Sequence, residues 1–440
     1  MKKLKWFILI LVIVLSSVFM FLYFERNSTP DDTHAGGTTE TKEQANPAES
    51  ASTGRKKTDP REREKRKKLQ SITDINEKIN YLVDNMTMEE KVGQLMMVGF
   101  PGTSPDETVN DLILNKNIGG IIYFDRNMTK PKQVAQLTNE LQQLAKTHWH
   151  ELPIMIAVDQ EGGSILRMRE EVSPIPSPQK LGKIATPDET YEVSKINGTE
   201  LSSMGIHINF APVLDLSETD TRSFGKDPEK TFLYGQKTIA GLNDASVTGT
   251  IKHFPGNGRS EIDPHEDTSS VRAKRDELEN SDIHPFKEMI RAVDNNNFFV
   301  MVTHIKYPAY DAEKPASLSR KIIQDLLRSK LGFNGIVVTD DLEMGAVNKY
   351  YTYKDMGKDA LLAGADLLLV CHEHVHQLEV YNGVLEAVKN GEITEERIDE
   401  SVRRILTYKL TQIEETETDL EEADRIVKSD EHVNYINNLN

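Results

Sequence analysis

Cysteine is all but absent, since of 440 residues only Cys371 carries a thiol. That excludes an intrachain disulfide and a zinc cluster built on thiolates, a thrift as compatible with the cytosol as with exported bacterial proteins that need no staples. Positive charge is also in deficit, with 53 Lys and Arg against 70 Asp and Glu for a net of −17. A polyanion is bound by displacing its counterions with surplus basic side chains, so no nucleic-acid partner is expected; the acidity reads as solubility. The glycine-rich stretch around Gly256 lacks the Lys-Ser/Thr ending of a phosphate loop, so no nucleotide is expected either. Large apolar residues are nearly missing from residues 25–71, which cannot bury enough surface to fold and read as a polar tether, strongly basic over residues 55–68.

What is present begins with an uncharged apolar run over residues 6–24, preceded by Lys2, Lys3 and Lys5. At about 1.5 Å per residue it is long enough to cross a hydrocarbon core of about 30 Å. It ends in bulky residues rather than the small ones of a cleavage site, which favours an uncleaved anchor. Three lysines before the run against Arg26 alone just after it place the N-terminus in the cytoplasm and the rest outside. The expectation is a single-pass cell-membrane protein with residues 1–24 as anchor, 25–71 as linker, 72–412 as one catalytic domain and 413–440 as an acidic tail that is weakly helical.

From residue 72 onward, short β-branched runs alternate with stretches of helical periodicity. Eight such runs occupy residues 92–100, 119–124, 153–158, 207–212, 248–253, 298–303, 335–339 and 366–370. Amphipathic segments such as residues 132–145, 191–203, 232–244, 285–293 and 321–331 lie between them. Near-continuous apolar strands separated by helices imply a parallel sheet covered on both faces. Eight repeats predict closure into an α/β fold, a (β/α)8 TIM-type barrel, whose active site forms from loops at the C-terminal strand ends.

Ionisable residues gather at those ends. Strand three runs into Asp159 and Glu161, strand four into Asp215, strand five into Lys252 and His253, strand six into His304, and strand seven into Asp340 and Asp341. A lone Asp after a strand is usually a cap; five successive strands ending this way are harder to explain by capping. KHFPGNGRSEIDPHEDTSS (residues 252–270) is a Gly/Pro-marked loop in which Asp263 and His265 stand two apart, so a carboxylate can fix the imidazole tautomer and raise its basicity for acid/base work. In VVTDDLEM (residues 337–344), Asp340 or Asp341 could supply a carboxylate below an anomeric carbon, the other capping or binding backbone. His372, His374 and His376 in CHEHVH read as rim histidines rather than a metal site. His148 and His150 read as structural.

MTMEEKVGQLMMVGF (residues 86–100), GGIIYF (119–124), AVDQEGG (157–163), INFAPVLD (208–215), RSFGKDP (222–228), KHFPGNG (252–258), DPH (263–265), PASLS (315–319) and VVTDDLEM occur in an order that resembles the glycoside hydrolase family 3 β-N-acetylglucosaminidases of bacterial cell-wall recycling, over residues 72–409. The resemblance implies retaining chemistry on terminal β-linked N-acetylglucosamine, with Asp340 as nucleophile and His265, oriented by Asp263, as acid/base. It further implies that Asp159, Arg167, Arg222, Lys252 and His253 bind sugar. It calls for no metal or organic cofactor, and a monomer is expected. Three departures stand out. Ser164 replaces one arginine of the family's GGR, and Asn257 and Arg259-Ser260 replace the usual His and Asp-Thr. The sequence also ends some thirty residues past Lys409, where many Gram-positive relatives continue into a second α/β domain. Two other readings remain open: a tethered wall-glycan binding protein on a degenerate barrel, and a β-glucosidase of the same family.

Overall fold

A parallel sheet buries both faces either under helices on both sides or by closing into a barrel with helices outside, and the eight apolar runs do the second. The computed structural model describes residues 59–260, 269–414 and 417–439. The strands are β1 (Met96–Val98), β2 (Gly120–Tyr123), β3 (Met155–Val158), β4 (Ile208–Asn209), β5 (Thr248–Phe254), β6 (Phe298–Val302), β7 (Val337–Thr339) and β8 (Leu368–Val370). All pair in parallel, in the order β7-β6-β5-β4-β3-β2-β1-β8. The register runs through Met97 opposite Gly120, Ile121 opposite Ile156, Ile208 opposite Thr248 and Val300 opposite Val337. The ring closes at a bridge between Val338 and Leu367, where the Thr339 N–H donates to the Leu367 carbonyl at 3.1 Å. This is the expected (β/α)8 barrel.

Differences at the strand ends have local causes. Residues 92–94 belong to the helix Met88–Gln94, whose start is fixed by a reciprocal Thr87/Glu90 capping box. β4 shrinks to two residues because the Ala211 N–H turns back onto the Asn209 carbonyl at 2.8 Å instead of continuing the ladder. Some of the helices between strands start on proline, where φ is already helical, among them Pro131–Ala145, Pro187–Ser203 and Pro228–Asp244. Their apolar faces, such as Tyr234, Ile239 and Leu242, lie on the barrel.

The helix Pro60–Ser71 stands where a linker is expected to reach residue 71. Its composition hides it, since only Leu69 is buried. It is held instead by single contacts, with Lys65 Nζ on the Asn85 carbonyl at 2.6 Å and Arg66 on the Thr147 carbonyl at 2.9 Å. The acidic C-terminal stretch forms Leu420–Ile426 and Asp430–Asn437, seated through buried Ala423 and Ile436 and a 2.9 Å contact of His432 Nδ1 with Glu200. The expected anchor at residues 1–24 lies outside the described residues, and among those described no helix is long and apolar enough to cross a membrane.

Below the strands, Lys409 is almost fully buried, with Nζ on Gln94 Oε1 at 2.8 Å and no carboxylate partner among the described residues. Burial pushes its ammonium down to about 7. The unfolded chain binds this proton up to about pH 10.4, so between those values the unfolded state holds more protons and stability rises with pH. The destabilisation by Lys409 is therefore full below pH 7 and shrinks above it. Lys409→Met is expected to raise the melting temperature more at pH 6 than at pH 9; an equal shift at both, read by thermal melts, contradicts a buried ammonium.

Candidate active site

At the C-terminal strand ends, charged side chains that would be costly to bury singly are buried in alternation. Lys252, at the end of β5, places Nζ 2.7 Å from Asp159 Oδ1 and 2.6 Å from Glu161 Oε1. Arg222, from the loop after β4, grips Glu161 in a two-point fork, Nε to Oε2 at 2.7 Å and the second nitrogen to Oε1 at 2.8 Å. Arg167 lies between Asp125 at 3.2 Å and Asp159 at 3.7 Å. Burial alone would push the Glu161 carboxyl up, but Lys252 and Arg222 outweigh it and hold it down to about 2. The same contacts hold Lys252 above its ordinary range against the opposing pull of burial.

Backbone geometry makes this possible. Gly162 has φ +98°, and a Cβ there would meet the Pro176 carbonyl at 2.3 Å. Gly258 brings the β5 loop against the β4 loop so closely that a Cβ would lie 1.9 Å from the Leu216 carbonyl. Asp215 then reaches across, its Oδ2 2.7 Å from His253 Nδ1 and its Oδ1 accepting the N–H groups of His253 at 3.1 Å and Asn257 at 2.7 Å. With Nδ1 donating to Asp215, Nε2 is the imidazole nitrogen left for a ligand.

On the opposite wall, the Asp340 N–H extends the β6–β7 ladder to the Val302 carbonyl at 3.0 Å. Asp340 Oδ1 accepts the Asp341 N–H at 2.9 Å, the one donor to that carboxylate among the described residues. Burial raises the Asp340 carboxyl, yet His253, His304, that N–H and Lys252 bring the net below the ordinary value. Asp341 is committed elsewhere, with Oδ1 accepting from Glu343 N–H at 3.1 Å and Cys371 N–H at 3.2 Å. The two carboxylates left open by spacing are thus distinguished by their hydrogen bonds. Asp340 faces a cavity of about 180 Å³ together with Asp159, Arg167, Arg222, Lys252 and His253.

The expected acid/base pair Asp263 and His265 lies outside the described residues. Its flanks are anchored, on one side by Arg259 on Asp282 at 2.8 Å and Glu277 at 2.7 Å, and on the other by the Val271 N–H on the Lys306 carbonyl at 2.9 Å. Arg259, a departure from the family pattern, therefore has a partner set away from the cavity lining. Sequence reasoning passed over two residues that line the cavity, Glu161 and His372, and one that pairs with its Arg167, Asp125. Asp125 is the first carboxylate after β2 and obeys the same strand-end rule that found Asp159. Glu161 was visible at a strand end but was not assigned to sugar binding. His372, read as a rim histidine, lines the cavity beside Phe124. No cluster of three His, Cys, Asp or Glu suited to a metal occurs among the described residues.

Residues 87–408 match the model of the glycosyl hydrolase family 3 N terminal domain. β-Hexosaminidase A of Pseudoalteromonas piscicida is 31% identical over 334 residues, which cover 70% of this chain but 55% of that protein. A β-hexosaminidase of Nitrosomonas eutropha is 33% identical over 63% of this chain and 80% of its own length. Among solved structures, a family 3 β-N-acetylglucosaminidase from Paenibacillus sp. str. FPU-7 superposes with a TM-score of 0.74 at 36% identity, covering 80% of this chain and 68% of that one. The matched span, the identities to β-hexosaminidases and the superposed barrel agree: this chain belongs to glycosyl hydrolase family 3 and is a glycoside hydrolase.

Proposed function

We propose that the protein is a retaining exo-β-N-acetylglucosaminidase that removes terminal β-linked N-acetylhexosamine from cell-wall glycan fragments, working outside the membrane that residues 1–24 anchor it to. The observation that carries this reading is Asp340, an anionic carboxylate held by one backbone N–H and otherwise open to a cavity whose other wall is lined with sugar-binding charge. Asp340 attacks the anomeric carbon as the bond to the leaving oxygen breaks, while the imidazolium of His265, oriented by Asp263, gives that oxygen its proton. The imidazole then takes a proton from water, which attacks the glycosyl ester and restores Asp340. Asp159, Lys252, Arg222, Arg167 and the Nε2 side of His253 supply donors and acceptors for ring hydroxyls. The intact charge network favours turnover over a barrel that only binds glycan.

With an aryl β-N-acetylglucosaminide, Asp340→Asn is expected to lower kcat by about 10³-fold or more, and Asp341→Asn by much less. Activity surviving in Asp340→Asn removes the nucleophile. The same assay run against aryl β-glucosides separates the sugar specificities, and preference for the glucoside contradicts the proposed substrate. His265→Ala is expected to slow turnover by about 10²-fold on poor leaving groups and far less on activated ones; equal losses contradict an acid/base role. Because Asp340 is held below its ordinary value, its anion persists into acid and is lost only as pH falls through that depressed value. The acidic limb of kcat/KM should therefore lie below about pH 4, and a limb above pH 5 contradicts the assignment.

A further inference from the structure

The residue after Asp340 is restrained on every side. Its carboxylate Oδ1 takes the two N–H groups of Glu343 and Cys371. Its carbonyl accepts from His304 Nε2 at 2.8 Å, and His304 Nδ1 meets Ser317 Oγ at 2.7 Å. The remaining oxygen, Oδ2, lies 3.3 Å from His372 Nε2, and the buried Cys371 thiol also sits against this carboxylate. The other ring nitrogen of His372 lies 3.3 Å from the Arg126 guanidinium, which is itself fixed on the Phe100 carbonyl at 2.9 Å and the Cys371 carbonyl at 2.6 Å.

An arginine only donates. Nδ1 of the neutral ring must therefore accept from Arg126, and the hydrogen must sit on Nε2, the nitrogen 3.3 Å from Asp341 Oδ2. In the imidazolium Nε2 carries a hydrogen as well, so this contact exists in both proton states. Asp341 and Glu343 favour the cation while burial and Arg126 oppose it, and Asp341 prevails.

Resting on the reading of Asp340 as nucleophile, we propose that His372, set by Arg126, is a positioning residue that acts through Asp341 to aim the Asp340 carboxylate. The Asp341 N–H is the one described donor to Asp340, so a shift of the Asp341 main chain, which its side-chain contacts help to hold in place, moves that donor. Two adjacent carboxylates also repel, and the Nε2 hydrogen draws the Asp341 charge toward His372 and away from Asp340. A nucleophile displaced by about 1 Å can lose about 10²-fold in rate without loss of binding. His372 is half exposed and packs on Phe124 at 5.3 Å between ring centres, so its substitution leaves the barrel core untouched.

The test is steady-state kinetics of the full chain on an aryl β-N-acetylglucosaminide, with thermal melts alongside. His372→Ala should lower kcat by about ten- to a hundredfold with KM little changed, across the pH range in which the enzyme works. His372→Gln, whose amide N–H reaches the position of Nε2, should recover most of the loss. His372→Asn, too short to reach Asp341, should not, and serves in place of His372→Ala if that variant is poorly folded. In an Asp341→Asn background, His372→Ala should add little, because its route to Asp340 is already cut. A loss confined to KM, full additivity with Asp341→Asn, or no rescue by Gln overturns the proposal. Asp340→Asn separates the two claims: if it stays active the nucleophile assignment falls, whereas if it is inert and His372→Ala is unaffected only the positioning role falls.

Discussion

The ion pairing of Lys252 with Glu161 and Asp159 is the constraint on which the mouth of this barrel depends. A lysine with a side chain 3% exposed and a glutamate 1% exposed cannot both stay ionised there unless each offsets the other's loss of water. Glu161 and Asp159 come from the β3 loop, Lys252 from the end of β5, and Arg222 from the loop after β4. Their pairing fastens three loops into one wall with fixed dipoles and charges. Preorganised groups of this kind stabilise charge that develops during bond cleavage without reorganising as it develops.

The facing wall is organised differently. Asp340 and Asp341 are neighbours of identical chemistry, and their environments divide the work. Asp341 spends its carboxylate on the backbone of the β7 and β8 loops, while Asp340 keeps its own toward the cavity. Glu343 strengthens the same seam by accepting the N–H groups of His372, at 2.5 Å, and Glu373, at 3.0 Å. The segment after β7 is thus a rigid bracket from which one side chain projects. Membership of glycosyl hydrolase family 3 gives that projection a chemical meaning that geometry alone left open.

Much of this was legible from residue order because the barrel imposes a strict pattern. A strand buried on both faces must be apolar throughout, so all eight runs stood out and their ends could be searched for charge. Asp159, Lys252, His253 and Asp340 surfaced by that rule, while Arg167 and Arg222, which sit in loops, needed the family resemblance. What escaped was decided by non-local contact. His372 touches Asp341 across the β7–β8 seam, and nothing local distinguishes it from His374 or His376. The helix Pro60–Ser71 escaped because one leucine and a few lysine and arginine contacts to carbonyls hold it, which leaves no apolar period to read.

The central claim is covalent: during turnover the sugar is esterified to Asp340. It is tested most directly by incubating the enzyme with a fluorinated N-acetylglucosaminide whose glycosyl-enzyme forms faster than it hydrolyses, then sequencing the labelled peptide by mass spectrometry. The account predicts one sugar per chain on Asp340, within VVTDDLEM. A label on any other residue, or inactivation of the enzyme with no covalent adduct, would contradict it.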